Sequence, residues 1–95
     1  NFNRISIEKN GYSSMHCHLK KYNLFYVESG ELLIEFRNKE SVLLNSNKKL
    51  IIEPKVWHRF RALTEVVAYE LYWENPDTSE KSDIVRLDQG GICQL

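Results

Sequence analysis

The stretch His16-Cys17-His18-Leu19-Lys20-Lys21-Tyr22-Asn23-Leu24-Phe25-Tyr26-Val27-Glu28-Ser29-Gly30 decides how the rest of the chain reads. Its second half is aromatic and β-branched and ends on a Ser-Gly turn, which predicts a strand over Tyr22 to Glu28. Its first half sets two histidines one residue apart, and on an extended chain such a pair projects both imidazoles from one face. The third histidine of the chain, His58, follows the turn Pro54-Lys55-Val56-Trp57 and opens another apolar run. If both stretches line one interior, three neutral imidazoles converge, and imidazole suits transition metals.

Outward from this stretch, the pattern is that of short strands and frequent turns. Ile5 and Ile7 alternate with polar neighbours, Gly11 breaks the run, and Tyr12 to His18 resumes it. Beyond the Ser29-Gly30 turn, Leu32, Ile34 and Phe36 share a face, completing a hairpin. Val42 to Leu44 and Leu50 to Ile52 are short strands; Pro54 removes a ladder donor and ends the second. Trp57 to Leu63 and Val66 to Trp73 form the last long pair, and the Glu74 to Ser82 segment around Asn75-Pro76-Asp77 reads as a loop. No segment of ten residues keeps a helical period. Such a count favours a small barrel or two-sheet sandwich.

Composition narrows the function. With 95 residues, 42% of them hydrophobic and 27% charged, the chain reads as one ordinary globular domain. So short a chain buries a modest share of its surface, so a homodimer is expected. Thirteen basic and thirteen acidic residues cancel, leaving no overall field to draw nucleic acid or an anionic membrane. No apolar run approaches the ~20 residues of a membrane span, and Asn1-Phe2-Asn3-Arg4 does not open a signal peptide, so a cytoplasmic location is expected. Cys17 and Cys93 read as free thiols.

At Gly11, His16, His18, Asn23, Gly30, Pro54 and His58 the chain resembles the cupin superfamily, whose pattern is a glycine, two histidines with one residue between, an acidic residue, a second glycine, and a proline turn before a third histidine. The resemblance implies an all-β jelly roll (double-stranded β-helix) of eight to ten short antiparallel strands. It would form a single cupin domain over 1–95, with 74–95 as a C-terminal docked segment. It also implies a divalent transition metal, zinc, manganese, nickel or iron, held by His16, His18, His58 and Asn23. The family usually carries glutamate where Asn23 stands, and an amide oxygen is a weaker ligand than a carboxylate. Independently of the family, three separate structural histidines at this spacing would each need its own buried partner, whereas one metal satisfies several at once.

The run Ile52-Glu53-Pro54-Lys55-Val56-Trp57-His58-Arg59-Phe60, then Tyr69-Glu70-Leu71, then Ser82-Asp83-Ile84-Val85-Arg86-Leu87-Asp88, looks like the cupin part of type II mannose-6-phosphate isomerases. In that family the place of His16 is often glutamine and that of Asn23 is glutamate, so the two ligand sets differ at two positions. The resemblance implies aldose–ketose isomerisation of a sugar phosphate, which requires a base near neutral pKa and an electrophile. Glu70, in an apolar strand where burial would raise its pKa, is the expected base. Arg59 and Arg86 are the expected phosphate ligands, since guanidinium offers a bidentate fork. Two other readings fit a three-histidine set: an iron oxygenase of the cupin type, and a non-catalytic cupin that binds a small ligand.

Overall fold

A computed structural model describes residues 2–74, 84–86 and 91–92, the last two stretches through their backbone alone. The strands are β1 (Phe2–Ile7), β2 (Gly11–Tyr12), β3 (His16–His18), β4 (Lys21–Ser29), β5 (Leu32–Phe36), β6 (Val42–Leu44), β7 (Lys49–Ile52), β8 (His58–Ala62), β9 (Val66–Glu74), β10 (Ile84–Arg86) and β11 (Gly91–Ile92). They form two antiparallel sheets. One runs β1-β9-β4-β7; in the other, β8 pairs with β2 and β3 along one side and with β5 along the other, and β11, β10 and β6 extend it. This is the expected all-β jelly roll, built as two facing sheets that are not hydrogen-bonded into one cylinder among the described residues.

Among the described residues the strands number eleven, several of only two or three residues, and Tyr12 to His18 is two strands rather than one. Ser13 interrupts the run without leaving the sheet: its N–H donates to the Phe60 carbonyl at 3.0 Å, and its hydroxyl accepts from the Phe60 N–H at 3.0 Å. The backbone of Ile84–Arg86 adds a strand beside β3, with Arg86 opposite His16 and Ile84 opposite His18.

The core lies between the sheets and follows strand alternation. Phe25 and Val27 of β4, Leu32 and Ile34 of β5, Ile52 of β7, Ala62 of β8, and Val66 and Ala68 of β9 are buried together. Each large apolar side chain so enclosed is worth about 1.5–3 kcal/mol relative to exposure. Two turns position the histidine-bearing strands. Gly30, at φ 89°, joins β4 to β5 so closely to the β8–β9 turn that an added Cβ would lie 2.1 Å from the Glu65 carbonyl oxygen. Lys55, at φ 69° after Pro54, turns the chain toward β8, and its N–H donates to the His18 carbonyl at 2.6 Å. Proline followed by a left-handed residue is the pattern of a type II turn.

Candidate metal centre

β3 and β8 are antiparallel neighbours in which His16 lies directly across from His58. His18, two residues on, shares the face of His16, so all three rings enter the interior. Ring centroids are 4.6 Å apart for His16 and His58, 5.3 Å for His16 and His18, and 6.0 Å for His18 and His58. All three are buried, His58 to 1% exposure. Their ligating atoms lie within 4.8 Å of one another. The main chain sets two of the tautomers. His16 Nδ1 donates to the Ser14 carbonyl at 2.7 Å and His58 Nδ1 to the Val56 carbonyl at 2.8 Å. A carbonyl only accepts, so each Nδ1 carries the proton and each Nε2 carries the lone pair.

The opposite sheet supplies the other wall. Asn23 and Phe25 face inward from β4, and Glu70 and Tyr72 from β9, with Asn23 directly paired to Tyr72 in register. Phe25 lies edge-on to His58 at 6.5 Å, and Tyr72 edge-on to His18 at 5.2 Å. The Tyr72 hydroxyl donates to Glu70 Oε2. Burial among these groups raises the Glu70 pKa above its ordinary value; the Tyr72 hydrogen bond and the Asn23 amide oppose the rise. Asn23 acts there from outside good hydrogen-bond geometry, since neither its oxygen nor its nitrogen is paired among the described residues and the residue is fully buried. His58 moves the other way. Burial lowers it to about 4, the Val56 carbonyl opposes the fall, and the charges of His16 and His18 add to it.

The fold therefore brings His16, His18 and His58 together, while Asn23 and Glu70 are buried on the strands of the opposite sheet. Tyr72, the partner of Glu70, was not expected as a site residue. The signal was present in the i, i+2 spacing, which puts both side chains on one strand face. Arg59 lies elsewhere: it alternates with His58 on β8, and its Nε contacts Glu35 Oε1 at 3.1 Å, an oxygen shared with Arg61 Nε at 3.2 Å. The structure does not bring it to the imidazoles. Arg86 pairs with His16 through its backbone, and its side chain lies outside the described residues. Cys17, alternating with the two histidines, is buried and forms no disulfide among the described residues, and Cys93 lies outside them.

The sequence pattern of the Cupin domain matches residues 3–73. The chain belongs to the cupin family. Its relatives include the uncharacterized protein YdbB of Bacillus subtilis, 40% identical over 52 residues, a match that covers 55% of this cupin and 46% of YdbB. Among solved structures, a cupin-like protein of Thermotoga maritima superposes with a TM-score of 0.75 at 18% identity, covering 93% of this cupin and 64% of that chain. An oxalate oxidase in complex with glycolate gives 0.71 at 20% identity over 90% of this cupin and 45% of that chain. A cupin-2 domain protein of Shewanella frigidimarina gives 0.68 at 23%, covering 78% and 69%. At such identities the superpositions speak for the fold alone.

The residues of this cupin fit a transition metal. His58 Nε2 is buried with no partner among the described residues, an arrangement that costs free energy unless something accepts its lone pair. Two ligands around one ion with bonds of ~2.0–2.1 Å stand at most about 4.2 Å apart, so small ring rotations close the spacing observed here. Backbone carbonyls that take the Nδ1 protons act as the outer partners that metal-bound histidines usually have. No helix of the described residues is long and apolar enough to cross a membrane.

Proposed function

We propose that this cupin is a metal-dependent enzyme that moves a proton between adjacent carbons of a small sugar or sugar phosphate, an aldose–ketose isomerisation like that of the mannose-6-phosphate isomerases. The observation that carries the reading is Glu70, a carboxyl of raised pKa on the wall facing three convergent imidazoles. A divalent metal at His16, His18 and His58 would supply an electrophile for a substrate oxygen. Glu70 takes the proton from one carbon and returns it to the next, and burial brings its pKa nearer the pH at which both halves of that exchange proceed. Tyr72 holds the Glu70 carboxyl in place through its hydroxyl. Asn23, with both amide atoms unpaired, offers a donor and an acceptor to a sugar hydroxyl or a metal-bound water. For a phosphate, the reading assigns Arg86, whose backbone lies opposite His16. Arg59 serves only if it leaves Glu35.

The test uses metal-stripped protein reloaded separately with zinc, manganese, nickel and iron and offered a panel of aldose and ketose phosphates. Mannose 6-phosphate or a close relative should be converted to its ketose with at least one metal. Absence of turnover with every metal rejects isomerisation.

Asn23 favours a second reading. It leaves three neutral histidines and no carboxylate where the family's fourth ligand usually stands, a set suited to an iron centre that activates oxygen on a small organic substrate. One structural neighbour, an oxalate oxidase, acts on a small organic acid. Oxygen consumption by the iron-loaded protein with a substrate present would favour this reading over isomerisation.

A further inference from the structure

Two turns meet where β5 ends and β8 begins, one after Phe36 and one from Pro54 to Trp57, and the Arg37 N–H donates to the Trp57 carbonyl at 3.2 Å between them. A cleft of about 240 Å³ opens there, lined by Phe36, Arg37, Asn38, Lys39, Lys55 and Trp57. Three of these residues are cations and none is an acid. The Arg37 guanidinium stands over the Trp57 ring at 5.5 Å and the Lys39 ammonium over the Phe36 ring at 4.4 Å, so ring faces hold both heads at the cleft. Neither they nor Lys55 has a carboxylate partner among the described residues, in contrast to Arg59 and Arg61 on Glu35. Glu40 and Glu53 line an adjoining cleft and pair with none of the three.

The backbone supplies an independent observation. Three described residues other than glycine have positive φ, and two of them, Asn10 and Asn47, are of the type whose short amide side chain tolerates it. The third is Lys55, at φ 69° in the place of a type II turn that glycine or asparagine normally fills. Lysine is the costlier choice for that turn, and backbone strain of this kind concentrates at ligand sites.

We infer that this cleft binds a phosphate group, free or as a small phosphomonoester. Three like charges gathered without a counter-charge repel one another, and an anion between them removes that cost. Phosphate suits the cleft better than carboxylate because it carries close to two charges and three acceptor oxygens. Arg37 offers it a bidentate fork, Lys39 and Lys55 point charges, and Asn38 a neutral amide donor. The place is not the one that isomerisation assigns to a phosphate. Arg86 on β10 lies three strand spacings from β5, through β3 and β8, or roughly 14 Å at ~4.8 Å each. The cleft therefore stands whether or not the chain is an isomerase. It shares a turn with the metal centre, since the Lys55 N–H donates to the His18 carbonyl and the Val56 carbonyl accepts from His58 Nδ1.

Amide chemical shifts of the isotope-labelled full chain, metal-stripped and zinc-loaded, test the site while inorganic phosphate is added to about 10 mM at constant ionic strength. Saturating shifts are expected at residues 36–39 and 55–57 in both forms. Lys55→Gly keeps the turn, since glycine adopts φ 69° freely, and should weaken phosphate binding roughly tenfold. Lys39→Gln should weaken it likewise, and Lys49→Gln, at an exposed position of the other sheet, should change nothing. Glycerol 3-phosphate binding more tightly than inorganic phosphate identifies an ester as the occupant, and equal or weaker binding identifies the free ion. Absence of shifts at those residues, shifts in the zinc-loaded form alone, or equal weakening by Lys49→Gln overturns the inference. Sugar-phosphate turnover without a phosphate response at the cleft rejects the cleft and leaves isomerisation standing; a phosphate response without turnover does the reverse.

Discussion

His16 and His58 stand directly opposite each other across the β3–β8 pair with their rings 4.6 Å apart, and each is held by a carbonyl two residues before it. A metal bound there depends on both. His58→Ala should lower the affinity for zinc or cobalt by roughly two orders of magnitude or more, read by equilibrium dialysis or by the visible spectrum of the cobalt form. Full metal stoichiometry in that variant would remove the metal centre from this protein.

His58 also makes the metal-free protein acid-sensitive. Its pKa falls from 6.5 in the unfolded chain to about 4 in the fold, so between those values the unfolded state binds more protons. Stability is therefore complete above pH 6.5 and is lost as pH falls through about 4, by roughly 3 kcal/mol if no other group intervenes. Chemical denaturation of the stripped protein at pH 7, 5.5 and 4.5 should show the decline, and His58→Gln should flatten it.

Glu70 has the opposite sign. Its pKa is raised in the fold, so stability falls as pH climbs from the unfolded value of 4.5 through the folded one. Glu70→Gln keeps the shape and still accepts from Tyr72. It should raise the melting temperature at pH 7 while removing the proposed isomerase turnover; a lower melting temperature with that activity present and retained contradicts both roles.

The hairpin turn at Gly30 admits no side chain. A Cβ would sit 2.1 Å from the Glu65 carbonyl oxygen, and φ 89° is costly for an L residue. Gly30→Ala should destabilise by about 2–4 kcal/mol in urea titrations, because relief requires moving the β8–β9 turn.

Arg59 shares the Glu35 oxygen with Arg61 on a partly exposed face. Arg59→Ala should cost less than about 1 kcal/mol of stability. If Arg59 also binds phosphate, KM for a sugar phosphate rises while that for the unphosphorylated sugar does not.

Strand alternation around Leu32, Ile34, Val66 and Ala68 made the two-sheet core readable from sequence, since a two-residue period assigns faces locally. The histidines were legible for the same reason, with the cupin pattern supplying the link between His18 and His58. What stayed hidden was set by register between distant strands. Glu35 pairs with Arg59 because β5 and β8 align as they do, and nothing near either residue encodes that alignment. Ser13 breaks its run through bonds to Phe60, an equally remote partner. Tyr72 was within reach, two positions from Glu70, but an aromatic residue in a small β fold reads first as packing.

The carbonyls of Ser14 and Val56 belong to the main chain, so every amino acid at those two positions offers the same acceptor to the imidazole beyond it. Mutation at position 56 can reshape the surroundings without removing the acceptor that holds His58, and at position 14 it removes only the Ser14 hydroxyl contact at 3.2 Å while the carbonyl at 2.7 Å remains. A lineage carrying this chain is thus free to vary what it binds while the imidazole cradle is inherited with the backbone.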